Sequence, residues 1–157
     1  MKWWPFYGLR RRLTERKDYR SPVSVHPIHE KLFRRSLFIF IIDVGSSNAL
    51  NFEIAALEAP QYNTHRFGIY FTDSPRHADL LLVLGRPVPQ MMSPLRETIS
   101  QLPHPFGIVV LDDSPEHLRT DYYADLPNLM TTIRGIPSPS EILGLLLDLS
   151  NYKKEKI

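Results

Sequence analysis

Few residues in this chain have the type and spacing that chemistry requires. Gly45-Ser46-Ser47-Asn48 lies between an apolar run and a helix-like segment, where free backbone N–H groups could hold a phosphate or carboxylate. The plainer reading is a strand-to-helix turn, with Gly45 supplying conformational freedom and a serine or asparagine capping the helix. Asp112 and Asp113 are adjacent carboxylates that could bind a cation or serve as a general base, or form a solvated turn before Ser114. Arg66, Arg76 and Arg96 could meet an anion or a quinone headgroup, or pair with acids such as Glu53 and Asp79 at subunit contacts. The six histidines, His26, His29, His65, His77, His104 and His117, include no helix-spaced pair beside an acid, so no metal site is expected. Nucleophile elbow, phosphate loop and paired-carboxylate motif are all absent, and no catalytic residue is assigned. The chain contains no cysteine.

The elements that would position these residues alternate. Residues 37–44, 67–71, 80–85 and 107–111 are short, apolar or β-branched runs bounded by turn signals, as buried parallel strands require. Helical patterns cover 48–58, 94–101 and 139–151. The order predicts an α/β fold, a flavodoxin-like, doubly wound and mainly parallel sheet of about four strands with flanking helices. Ser-Pro recurs at Ser74-Pro75, Ser93-Pro94, Ser114-Pro115 and Ser138-Pro139, where serine suits a cap and proline the first helical position. Ser138 with Glu141 also makes a capping box. The loops at 45–48, 85–92, 112–115 and 135–138 should converge on one rim beyond the carboxyl ends of the strands.

Charge divides the chain. Residues 1–35 carry ten Lys/Arg against three Asp/Glu, and residues 36–157 carry nine against fourteen. The predicted organisation is therefore a basic, aromatic head (1–35), one α/β domain (36–152) and a short tail (153–157). Trp3, Trp4, Arg10, Arg11 and Arg12 in the head are suited to an anionic membrane surface or an acidic partner. No nucleic-acid module follows, so nucleic acid is not an expected partner. No apolar run approaches the roughly 20 residues that span a bilayer, and no secretory signal is expected at the start.

Asp43-Val44-Gly45-Ser46-Ser47, Pro60-Gln61-Tyr62, Arg66-Phe67-Gly68, Ser74-Pro75-Arg76-His77-Ala78-Asp79 and Ser93-Pro94-Leu95-Arg96 together resemble the small subunit of membrane-bound, energy-converting (group 4) nickel-iron hydrogenases. The same frame is similar to the cluster-bearing small subunit of respiratory complex I. Residues 135–141 resemble the closing motif before the last helix, so the likeness covers residues 36–150, and the Ser-Pro-Arg-His-Ala-Asp version leans toward the hydrogenase branch. In that family four cysteines hold a tetranuclear iron-sulfur cluster. Carried over by resemblance, their positions fall on Ser47, Leu50, Ser114 and Ile136, which supply no thiolate.

The resemblance implies a small subunit without its cluster and without another cofactor, peripheral on the cytoplasmic side of the inner or cell membrane. It would connect a hydrogenase-large-subunit-like protein to membrane-embedded, antiporter-like subunits in an ion-translocating complex. Glu53, Arg66, Arg76, His77, Asp79 and Arg96 are the expected inherited contacts. Leu50 and Ile136 are expected to lean into the vacated volume, and Ser47 and Ser114 to cap helices. Two other readings stay open. One is a soluble flavodoxin-like protein holding a flavin or nucleotide phosphate at residues 45–51, against which the chain offers no obvious aromatic pair to flank a ring, Tyr122 and Tyr123 coming nearest. The other is a redox subunit working through a partner's cofactors.

Overall fold

The computed structural model describes Tyr19, Pro22, residues 36–115 and residues 122–150. Within them β1 (Leu37–Gly45) leads to α1 (Asn48–Ala56), a 3-10 turn (Thr64–Phe67), β2 (Ile69–Phe71), a second 3-10 turn (Pro75–His77) and β3 (Leu80–Gly85). A third 3-10 turn (Pro89–Met91), α2 (Met92–Gln101), β4 (Gly107–Asp112), β5 (Leu129–Arg134) and α3 (Pro139–Leu149) follow. The strands form one sheet in the order β2-β1-β3-β4-β5, and each pairing is parallel. This is the flavodoxin-like order. The sheet has five strands, one more than the sequence predicts, because β5 at the edge carries Thr131 and Thr132 and is only partly buried.

Strand alternation divides the core in two. Leu37, Ile39, Leu80, Leu82, Leu84, Val109 and Leu111 turn toward Leu50 and Ile54 of α1 and Ile142 and Leu146 of α3. Ile42, Val44, Leu81, Val83, Ile108 and Val110 turn toward Leu95 of α2 and toward Leu102. β3 lies in the middle of the sheet and is buried at every position, which is why its run is apolar without interruption.

Two local departures shape the surface. β2 pairs only with Leu37–Ile39 of β1, leaving the rest of that longer strand without a neighbour on the β2 side among the described residues. The passage from β2 to β3 holds one 3-10 turn where a doubly wound sheet commonly places a helix, and Phe38 stays 39% exposed, its ring 5.4 Å from that of Tyr70.

Of the four Ser-Pro pairs, Ser138 caps as predicted: its Oγ accepts the Glu141 N–H while Glu141 accepts the Ser138 N–H. Ser74 makes no side-chain cap, and Ser93-Pro94 lies inside the first turn of α2, which starts at Met92. Among the described residues no helix is long and apolar enough to cross a membrane. The expected roles of Trp3, Trp4, Arg10, Arg11 and Arg12 lie outside the described residues.

Candidate functional site

Two glycines let the carboxyl ends of β1 and β3 touch backbone to backbone. Gly45 (φ +140°) pairs with Gly85 (φ +76°). A Cβ at Gly45 would lie 2.3 Å from the Arg86 carbonyl oxygen, and one at Gly85 2.2 Å from the Ser46 nitrogen. Both positions therefore need glycine for space as well as for φ. The loop after β4 joins through Asp113, whose Oδ2 accepts the Ser47 N–H at 2.7 Å. The loop after β5 joins through the Gly135 N–H, which donates to the Asp112 carbonyl at 2.8 Å. The predicted rim is thus assembled.

The turn after β1 does not present an open anion cradle. Asp43 Oδ1 accepts the Gly45 N–H (2.9 Å) and the Ser46 N–H (2.8 Å), while its Oδ2 accepts from Asn51 Nδ2 (3.0 Å). Burial alone would raise the Asp43 pKa, but these hydrogen bonds outweigh it and hold the carboxyl below its ordinary value. With Asp113 on the Ser47 N–H, three successive donors are satisfied by the chain's own carboxylates. A phosphate placed there would meet negative charge where a flavodoxin-like site offers N–H groups.

The far side of the rim is aromatic. The buried Tyr123 donates its OH to the Gly85 carbonyl, and burial, followed by the charges of Asp112 and Asp113, pushes its pKa well above the usual tyrosine value. The Arg86 guanidinium lies 4.8 Å above the Tyr122 ring and donates to the Tyr122 OH at 2.7 Å. Tyr122 therefore stacks on a guanidinium and Tyr123 is buried, so the two rings do not flank a flavin. Asp112 is buried and its Oδ1 accepts the Ser114 N–H at 3.0 Å, so this pair builds a turn.

The four positions carried over from the family's cluster ligands do not form a donor set. Leu50 is fully buried in the core under α1, whereas Ile136 is 52% exposed. Neither has a donor atom, and the two diverge. Ser47 stands at the N-cap of α1 without a side-chain capping bond, and the Ser114 Oγ is buried with no hydrogen-bond partner among the described residues. A tetranuclear cluster needs four converging ligands, normally thiolates, and these residues do not fit one.

Two expectations are corrected here. Ile136 does not lean inward, and among the described residues neither Ser47 nor Ser114 makes a side-chain cap. Among the described residues a hollow of about 460 Å³ is lined by Ser47, Arg86, Val88, Asp113 and Ser114 among others.

The expected contact residues lie elsewhere. Arg76 and His77 are exposed on the 3-10 turn before β3, at the amino end of the sheet, and do not join the rim. Asp79 accepts the Phe38 N–H at 3.0 Å, and its burial raises its pKa against the effect of that bond. Arg66 lies with its guanidinium 4.8 Å from the Phe67 ring centre. Arg96 is exposed on α2, and Glu53 is half-buried on α1. The sequence reading did not single out Asp43 or Arg86 as site residues. An aspartate two residues before Gly-Ser is an Asx-turn signal that could have found the first. Among the described residues no three histidine, aspartate or glutamate side chains converge to hold a metal ion.

No protein-family model matches the chain. It is 35% identical over 85 residues to the probable membrane-bound hydrogenase subunit mbhJ of Pyrococcus furiosus, covering 54% of this chain and 51% of that one. It is 37% identical over 75 residues to formate hydrogenlyase subunit 7 of Escherichia coli, covering 48% of this chain and 29% of that one. The chain thus spans about half or less of the length of these relatives. A chain of the membrane-bound sulfane sulfur reductase, an archaeal respiratory membrane complex, superposes with a TM-score of 0.55 at 22% identity, covering 77% of this chain and 78% of that chain. That likeness establishes the fold alone.

Proposed function

We propose that this chain, which is similar over about half its length to small subunits of energy-converting hydrogenases, is a connector subunit of a membrane-associated complex of that kind, with no iron-sulfur cluster of its own. It would sit peripherally on the cytoplasmic side, between a hydrogenase-large-subunit-like protein and membrane-embedded, antiporter-like subunits, and pass no electrons.

One observation carries this reading: the rim braces itself. In a cluster-bearing subunit the loops meet on a metal centre, whereas here Asp113 on Ser47, Asp43 on Gly45 and Ser46, and Tyr123 on Gly85 join them directly. The loops are held by the chain's own side chains in place of metal ligation. A second observation points to a covered surface. Phe52 of α1 is 74% exposed, and Val88, Tyr122 and Ile136 on the rim loops are 42%, 45% and 52% exposed. Exposed large apolar side chains of this kind suit an interaction surface. A basic head on an acidic body would add a docking point at anionic lipid or an acidic partner.

The test is purification of the tagged chain from solubilised native membranes, with subunit identification and iron analysis of the assembly and of the chain alone. A stoichiometric assembly with large-subunit-like and antiporter-like proteins, and an iron-free chain, is the expected result. Iron and labile sulfide bound by this chain, or a species that never leaves the soluble fraction, would overturn the proposal.

A further inference from the structure

Among the described residues, the edge of β1 is open where β2 stops. In a parallel ladder the N–H and C=O of alternate residues point to the same neighbour. Leu37 and Ile39 point to β2: the Leu37 N–H donates to Gly68 and the Ile39 carbonyl accepts from Thr72. Phe38 and Val44 point the other way, their carbonyls accepting the Asp79 and Val88 N–H groups. Ile41 and Asp43 continue the first series, and β2 has already ended at Phe71. Their backbone groups face a side on which no described strand lies.

A groove of about 440 Å³ runs along this edge. Ile39 and Phe71 form its floor, and Ile54 and Ala55 of α1 form one wall. It also reaches Phe40, whose side chain belongs to the opposite face of the sheet, so the groove wraps around the open edge. Bare strand edges of this kind are templates for another strand, and apolar pockets beside them take alternate side chains.

Charge selects the occupant. Among the described residues, the charged side chains lining the groove are two exposed carboxylates, Glu58 and Asp73, with no Lys or Arg. An anionic lipid surface, a nucleotide or an acidic peptide would be repelled. We propose that the groove binds an extended, basic segment of a partner subunit, which adds as a strand beside Ile41 and Asp43 in line with β2. Apolar side chains at alternate positions face Ile54 and Ala55, and flanking Lys or Arg meet Glu58 and Asp73. This inference does not depend on whether the rim ever carries a metal.

The test uses the full chain and a fluorescein-labelled octapeptide alternating lysine and valine. Two control octapeptides share its pattern, one with glutamate for lysine and one N-methylated on alternate backbone nitrogens. Saturable binding of the first by fluorescence anisotropy, at least about tenfold tighter than either control, is the expected result. Hydrogen exchange of the Ile41 and Asp43 amides should slow on binding, and Glu58→Lys with Asp73→Lys should reverse the charge preference. Equal binding of the methylated peptide, or binding without protection of those amides, would overturn the proposal. Since the chain has no cysteine, Ala55→Cys takes a photo-crosslinker at this wall alone. Cross-linking to the lysine-valine peptide would support the assignment. Cross-linking to the chain's own residues 1–35 would assign the groove to its own head and also overturn it.

Discussion

Asp113 and Ser47 stand 66 positions apart, and the Asp113 carboxylate accepts the Ser47 N–H at 2.7 Å, fastening the loop after β4 to the loop after β1. A hydrogen bond to a charged group contributes about 1.5–3 kcal/mol when shielded, and less at a site open to water. Asp113→Ala should therefore cost about 1 kcal/mol in urea unfolding, and Asp113→Asn, which keeps an acceptor but loses the charge, about half of that. Unchanged urea midpoints in both variants would mean that the rim does not depend on this tie.

Two glycines with positive φ separate steric from conformational cost. At Gly45 a Cβ would meet the Arg86 carbonyl oxygen at 2.3 Å, whereas at Gly135 (φ +96°) nothing lies within 4 Å. Gly135→Ala should lose about 1–2 kcal/mol from backbone strain alone. Gly45→Ala should lose more than about 3 kcal/mol, because backbone cannot yield as a side chain can, and accumulate in the insoluble fraction. Comparable thermal midpoints for the two variants would contradict the close approach.

Leu50 and Ile136, paired by the family resemblance, are set apart by burial. Leu50→Ala empties a filled core position and should destabilise by about 2–5 kcal/mol. Ile136→Ala removes a side chain that is 52% exposed and should stay within about 0.5 kcal/mol of the parent. Equal losses would restore the picture of two side chains closing one cavity.

Below the ordinary carboxylate range the Asp43 brace should fail. Burial acts to raise its pKa, but hydrogen bonds from Asn51, Ser46 and Gly45 leave it depressed. A depressed carboxylate contributes stability above its unfolded pKa and loses it as pH falls through the folded value. Between about pH 5 and pH 3 the urea midpoint of the parent should fall further than that of Asp43→Asn. Parallel declines would exclude Asp43 as a source of acid sensitivity.

How much of this was legible follows from residue type. The central strands were, because burial on both faces writes an uninterrupted apolar run such as Leu80 to Leu84 into the sequence. β5 was not, since Thr131 and Thr132 sit at a half-covered edge where apolarity is not demanded. The rim was predicted as a place, because Gly45 and Gly85 punctuate strand ends, yet its wiring depends on Asp113 reaching across 66 positions, which no local spacing reveals. The direction of Ile136 was missed for the same reason. A resemblance transfers positions along the chain, while side-chain direction is set by contacts such as the Gly135 N–H on Asp112.

Tyr123 supplies the alkaline counterpart. Its OH donates to the Gly85 carbonyl in a buried site, and burial, with Asp112 and Asp113 nearby, opposes the phenolate. The folded pKa lies above the ordinary tyrosine value of 10.0, so stability is constant below that pH and declines as pH rises toward the folded value, because only the unfolded chain ionises. In an ultraviolet titration at least one of the seven tyrosines should fail to ionise with the others near pH 10 and appear only as the protein unfolds. Tyr123→Phe should remove that delayed step and lower stability at neutral pH by about 1 kcal/mol through the unpaired Gly85 carbonyl. If all tyrosines of the folded parent titrate together, the Tyr123 contact does not close the rim, and the self-braced scaffold loses one of its three ties.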